Sequence, residues 1–543
     1  MNRIPSSLTI AQAEDLMAKR ELSSVELTEM LLQRIDEMDP HLNAFITVTA
    51  ERAMEQARAA DSKYGQPRSP MQGIPFGLKD IYNTAGIKTT AHSKLLIDNV
   101  PSEESTASAR LNDAGAVLMG KLATHEFAHG GPSFQLPWPP ARNPWNRAHF
   151  TGGSSTGSGA AVASGLVLGA LGSDTGGSVR NPAALCGIVG MKPTYGLVSR
   201  YGVIPNSFTF DTCGPMAWTV EDSAIMLQVI AGHDPRDPTS SSRPIPNYRA
   251  NLSDGIRGLR LGVIRHFWED DLPANDEVRQ SMEAALSVLE DLGAILEPVN
   301  LRPMQDYCDV KIIIGEAELY AIHEADLIRR SGDFCDDFLG RSLPAILIGA
   351  KDYVQAQRER QRMLAEMESV YQRYDALVTA GFYGPAPKLG SYQTVKFFWQ
   401  NSSITIPYNV LGCPAISICN GYTESGLPLS MQIAGRPFDE ATVFRVANAY
   451  ELATPWWDRR PVLDFSNDEP LEGTSGQPAW QEKCEDPLLR DKIHHLVQAA
   501  NLSLTDEQFE QICDAAPFVK ARIERLHNEF RREDEPASTF SFK

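Results

Sequence analysis

Residues 151–192 read TGGSSTGSGAAVASGLVLGALGSDTGGSVRNPAALCGIVGMK, with Ser154 and Ser178 each set behind a Gly-Gly pair on either side of an apolar run. A glycine- and serine-rich string alone would read as a loop or linker. AAVASGLVLGAL, at 160–171, is too apolar for that and predicts a buried helix followed by a buried strand. The two serines then sit on turns at the edges of a packed α/β layer, where a hydroxyl can meet a substrate.

A serine hydroxyl is a weak nucleophile until a neighbour takes its proton. Upstream, GIPFGLKDI at 73–81 places Lys79 between Leu78 and Asp80. An ammonium buried among apolar groups loses protons more readily, so a desolvated Lys79 can act as a neutral general base without a histidine.

Four motifs in order, GLKD around Lys79, GGSS at 152–155, GSDTGGSVRNPA at 172–183 and GMKPTYG at 190–196, resemble the amidase signature enzymes, Ser-Ser-Lys hydrolases of amide C–N bonds. Looser similarity runs to about Arg459. The resemblance implies an α/β fold with a mixed β-sheet core covered by helices on both faces, and a cofactor-free, metal-free site. It makes Ser178 the nucleophile that forms an acyl-enzyme, Ser154 the bridging serine on a cis peptide, and Lys79 the base. The backbone amides of Thr175, Gly176, Gly177 and Ser178 would form the oxyanion hole. Asp174, Arg180 and Ser155 would hold that loop through hydrogen bonds.

Two other strings suggest different chemistry. GSSTG at 153–157 fits a nucleophile elbow centred on Ser155, with His233, His266 or His323 as partner. HFTGG before it makes a poor strand, whereas an elbow requires one. HEFAH at 125–129 fits the zinc pattern of two histidines one helical turn apart. Gly130, Gly131 and Pro132 follow at once and would break such a helix, so these histidines read more simply as pocket wall. A zinc peptidase and a catalytically idle interaction protein are the alternatives from other classes.

The 543 residues carry a net charge of −19, which disfavours nucleic acid and anionic membranes as partners. Eight cysteines occur without a C-x-x-C pair, and the N-terminus lacks an apolar signal core, so a reducing cytoplasm is the expected address. Cys186 reads as a packing thiol. The longest apolar run, near 159–172, is too short and glycine-broken to span a bilayer.

Helical periodicity marks SSVELTEMLLQRIDEMD, capped by Ser23 or Ser24, and AERAMEQARAADSKYG. GAVLMG, LRLGVI and DALVTA read as strands. A catalytic domain is expected over 1–463, a polar linker over 464–482, and a helical C-terminal domain over 483–543. There Asp486 precedes Pro487 as a cap, Thr505 and Gln508 form a capping box, and Val519, Ile523, Leu526 and Phe530 make an apolar stripe. This tail resembles the small companion subunit of carboxybiuret hydrolase-type amidases. The stripe would pack on the amidase body or across a homodimer.

The expected substrate is a small amide. Glutamine-using transamidase relatives carry an acidic residue where Ser402 stands, five positions before Pro407, so transamidation is disfavoured. Phe127, Phe134, Trp138, Phe382 and the FFWQ run, with Phe398 and Trp399, offer aromatic surface for an aryl amide, with Gly130 and Gly131 also in the wall. Carbamates and substituted ureas share the carbonyl chemistry. A biuret-like polar amide is the alternative within the class.

Overall fold

The computed structural model describes residues 7–63, 69–391, 393–463 and 484–527. Its strands are β1 (Phe45–Val48), β2 (Pro75–Lys79), β3 (Val117–Leu122), β4 (Gly169–Asp174), β5 (Val189–Lys192), β6 (Thr212–Ala217), β7 (Arg260–Val263), β8 (Ile295–Pro298), β9 (Ala376–Ala380), β10 (Ala415–Tyr422) and β11 (Pro428–Gly435). They form one 11-stranded sheet in the order β1-β3-β2-β4-β6-β5-β10-β11-β9-β7-β8. The sheet is mixed: β3, β2 and β4 run parallel, as do β9, β7 and β8, with antiparallel pairings between these groups. Helices cover it on both faces, so the α/β expectation holds.

Buried strands here read as continuous apolar or small-residue runs rather than alternating ones, because both faces are covered. The apolar string at 160–171 divides as expected. The helix Thr156–Ala163 is buried along its whole length, and β4 follows it. Ser23 is the N-cap of the helix Ser24–Leu42, completing a capping box with Glu26.

In the C-terminal region the Asp486 carboxylate accepts from the amides of Leu488 and Leu489, and Thr505 pairs with Gln508 as a capping box. The helices are Pro487–Ala499 and Asp506–Leu526. Of the stripe, Val519 and Leu526 are buried and Ile523 is partly buried, full removal of such a side chain from water contributing about 1.5–3 kcal/mol. Phe530 and the linker at 464–482 lie outside the described residues. The body of the same chain covers the stripe: the helix Asp506–Leu526 packs on Met304–Arg330, Asp336–Ser342, Ala350–Arg373 and Thr394–Gln400. Its burial therefore requires no second copy.

Among the described residues no helix is long and apolar enough to cross a membrane. All eight cysteines are free. Cys186 is buried, its thiol pushed up by desolvation, as a packing residue should be.

Candidate active site

Parallel neighbours β2 and β4 bring their C-terminal ends together, the usual place for a site in an α/β sheet. Lys79 is the last residue of β2 and is wholly buried. Its Nζ donates to Ser154 Oγ at 2.7 Å and to Ser173 Oγ at 2.9 Å. Burial drives its pKa down to about 7, partly opposed by the Asp211 and Asp174 carboxylates. Near neutrality Lys79 can therefore lose its proton, and the Ser154 contact then reverses, the hydroxyl donating to the amine.

Ser154 follows a cis peptide bond from Gly153. Gly153 is demanded by close approach, since a Cβ there would lie 2.1 Å from the His125 ring. Ser155 accepts from the Ser173 amide at 3.3 Å and so ties the serine turn to β4. It is the N-cap of the helix Thr156–Ala163, but the preceding strand ends at Leu122, so the elbow geometry is absent.

The loop after β4 is held by one buried charge pair. Asp174 and Arg180 are both inaccessible, with Arg180 Nη2 3.0 Å from Asp174 Oδ1 and Nε 3.0 Å from Oδ2. Asn409 Nδ2 donates to the same carboxylate at 2.7 Å. Arg180 spends its other donors on the Thr405 carbonyl, Gln432 Oε1 and Asn409 Oδ1 at 2.8, 2.9 and 2.8 Å. Although burial disfavours the charge, Arg180 and these donors hold the Asp174 carboxyl down at about 2. A buried pair satisfied this fully keeps its geometry.

Asp174 Oδ1 also accepts from the Gly177 amide at 2.8 Å. That donor is occupied within the loop, which corrects the expectation that Gly177 offers its N–H to an oxyanion. The Thr175, Gly176 and Ser178 amides are left to do so. Gly177 has φ +123°, a conformation other residues rarely adopt.

A cavity of about 190 Å³ opens over Ser154, Ser178 and this loop. Phe150, Phe382, Phe397 and Phe398 form aromatic wall, Gly130 and Gly131 join them, and Lys311 and Arg341 also line it, ion-paired with Glu316 at 3.5 Å and with Asp337 at 2.9 Å. Arg341 lies over the Phe398 ring with 4.9 Å to the centroid. His125 stacks on Phe150, and burial drives its pKa down to about 3, so it is neutral.

Four of the expected aromatic wall residues are elsewhere. Phe127 packs behind the wall against His323, Phe334 and Phe338, and Trp399 is buried with its indole N–H donating to the Gly340 carbonyl at 3.0 Å. Neither lines the cavity, nor do Phe134 and Trp138. Aromatic side chains gain more from full burial than from a cavity edge, and sequence cannot say which face of a short helix turns inward.

HEFAH is not a helix. Its middle is a single 3₁₀ turn, with Phe127 and Ala128 left-handed at φ 48° and 59° and both histidines in extended backbone. The i, i+4 geometry a zinc pair needs is missing, and among the described residues no group of three or more His, Cys, Asp or Glu could hold a metal ion. His125 and His129 do line the cavity, while His233, His266 and His323 do not.

Sequence reading missed Ser173, Lys311 and Arg341, and the distant braces Thr405, Asn409 and Gln432. Only Ser173 had a local signal, a hydroxyl inside a buried strand beside Asp174.

A buried lysine poised near neutrality, bonded to one of two cavity serines beside a braced amide loop, is the arrangement of a serine hydrolase. Residues 26–444 match the Amidase family, and the chain belongs to it. It is an amidase, a serine amidohydrolase acting on amide C–N bonds. A glutamyl-tRNA(Gln) amidotransferase subunit from Geobacter metallireducens is 40% identical over 476 residues, covering 83% of this chain and 98% of that one. Among solved structures, a chain of a vestigial protein complex that reveals the evolutionary origins of an s-triazine catabolic enzyme is 30% identical, with TM-score 0.76, 82% of this chain and 98% of that one covered. A bacterial aryl acylamidase is 25% identical, with TM-score 0.75, 83% and 98% covered.

Proposed function

We propose that this amidase hydrolyses a small aryl amide, with carbamates and substituted ureas as neighbouring substrates, through an acyl-enzyme on Ser178. The observation that carries the reading is the aromatic wall of Phe150, Phe382, Phe397 and Phe398 above the serine pair. In the first half-reaction neutral Lys79 takes the Ser154 proton while Ser154 takes that of Ser178. Ser178 Oγ bonds to the carbonyl carbon, and the amides of Thr175, Gly176 and Ser178 receive the oxyanion. Collapse breaks the C–N bond as Ser154 protonates the departing nitrogen and recovers a proton from Lys79. Water then repeats the sequence on the acyl-enzyme, releasing the acid.

A second reading, a biuret-like polar amide, draws on Lys311 and Arg341, whose N–H groups at the cavity suit a carbonyl-rich substrate. The similarity of the tail to a companion subunit favours the same reading. Amidotransfer to glutamyl-tRNA(Gln), the activity in the Geobacter relative's name, is not the reading favoured here. Ser402 lines the cavity where that activity calls for a carboxylate, and it donates to Gln305 Oε1 at 3.1 Å.

The test is amine release from anilides, carbamates, ureas, biuret and glutamine, with and without a chelator. Chelator-insensitive release from anilides, lost in Ser178→Ala with the melting curve unchanged, is expected. Turnover of biuret alone overturns the aryl reading, and normal turnover by Ser178→Ala overturns the nucleophile.

A further inference from the structure

The helix Thr394–Gln400 contributes Phe397 and Phe398 to the cavity wall, yet with seven residues it cannot hold itself in place. The last carbonyls of any helix lack partners within it and attract cations. Here the partner comes from far along the chain. Arg522, on the C-terminal helix Asp506–Leu526 and only 1% exposed, donates through Nη2 to the Trp399 carbonyl at 2.8 Å and the Phe398 carbonyl at 3.4 Å. Its Nη1 donates to Asp309 Oδ1 at 2.7 Å.

Asp309 lies on the helix Met304–Arg330, which sends Lys311 and Ile312 to the same cavity. One guanidinium therefore joins two separate pieces of the wall. The tie continues inward, because the Trp399 indole donates to the Gly340 carbonyl, next to Arg341. Trp399, Ile312 and Val395 pack in one cluster with Ala515 and Val519 of the C-terminal helix.

We propose that Arg522 is a positioning residue for substrate selection: the C-terminal helix sets the placement of Phe398, and with it which acyl groups the site accepts. Arg522 touches neither substrate nor the serines and acts through the Phe398–Trp399 carbonyls. Arg525 shares Asp309, with Nη2 at 2.9 Å from Oδ1, but it is 45% exposed and makes no contact with those carbonyls. It supplies a matched control. The proposal rests on the reading of this cavity as the acyl site of Ser178.

The experiment uses the full chain and two serine-directed probes, benzenesulfonyl fluoride and methanesulfonyl fluoride. Each forms a sulfonate ester at Ser178 Oγ as the S–F bond breaks, fluoride leaving and the serine proton passing to the Ser154–Lys79 relay. Intact mass and peptide mapping give the rate of Ser178 labelling, and the readout is the ratio of aryl to methyl rates well below the melting temperature. Arg522→Gln should lower that ratio about tenfold, a displacement of the wall being enough to cost that much. Arg525→Gln should leave it unchanged. In a Phe398→Ala background the Arg522→Gln effect should vanish.

A ratio in Arg522→Gln equal to that of the parent, even with a lowered melting temperature, overturns the proposal and leaves Arg522 a stability residue. If Arg522→Gln does not fold, Arg522→Lys decides by the same ratio, since an ammonium keeps the charge but loses the fork that spans Asp309 and the carbonyls. Absence of Ser178 labelling in the parent by both probes overturns the cavity reading, and this proposal falls with it. Labelling with an unchanged ratio defeats the proposal alone.

Discussion

Lys79 Nζ donates to Ser173 Oγ at 2.9 Å beside its 2.7 Å contact with Ser154, so one ammonium is aimed by two hydroxyls. Ser173 acts as the second anchor, keeping the amine directed at Ser154 and favouring its charged form. In Ser173→Ala the charged form loses an acceptor, so the ascending limb of the kcat/KM profile should move to lower pH while the plateau falls about tenfold. An unchanged profile would mean that Ser173 does not orient the base.

Because burial brings Lys79 down to about 7, activity should rise with pH through that region and level off above it. The sign follows from the base being active only when deprotonated. Lys79→Ala should lose about 10²–10⁴-fold, with the residual rate climbing toward alkaline pH as hydroxide substitutes. A profile flat from pH 5 to 9 would remove Lys79 as the titrating base.

Gly176 and Gly177 should respond differently to alanine. A Cβ on Gly177 would lie 2.1 Å from Thr405 Oγ1 in a left-handed backbone, whereas on Gly176 the nearest atom is Lys311 Cε at 3.5 Å. Gly177→Ala should shift the amide loop and lower kcat about 10²–10³-fold, while Gly176→Ala loses much less. Steady-state kinetics on the two variants decide it, and equal losses would contradict the steric account.

Breaking the loop brace should appear as instability before chemistry. Arg180→Ala strands the buried Asp174 carboxylate and should cost about 3–5 kcal/mol, read by denaturant unfolding. Asp174 is depressed from 3.8 to about 2 in the folded protein, so its pairing contributes fully above 3.8 and is lost as pH falls toward 2. The stability gap between parent and Arg180→Ala should therefore narrow on acidification in that range.

The amino-acid sequence by itself determined the elements and the chemistry that depend on neighbours along the chain. The helix and strand on either side of Gly165, the Gly-Gly-Ser turns, the Lys79 strand and the caps at Ser23, Asp486 and Thr505 all follow from local propensity, burial pattern and motif. Tertiary structure alone decided what reaches those motifs from a distance. Thr405, Asn409 and Gln432 brace Arg180 across more than two hundred residues, with separations of 225, 229 and 252. Burial turned Phe127 and Trp399 away from the cavity while Lys311 and Arg341 came into it. The apolar stripe of the C-terminal helix was legible, but its seat on the body was not. Which surface covers a stripe depends on shape and on pairs such as Arg522 and Asp309, which have no periodicity to read.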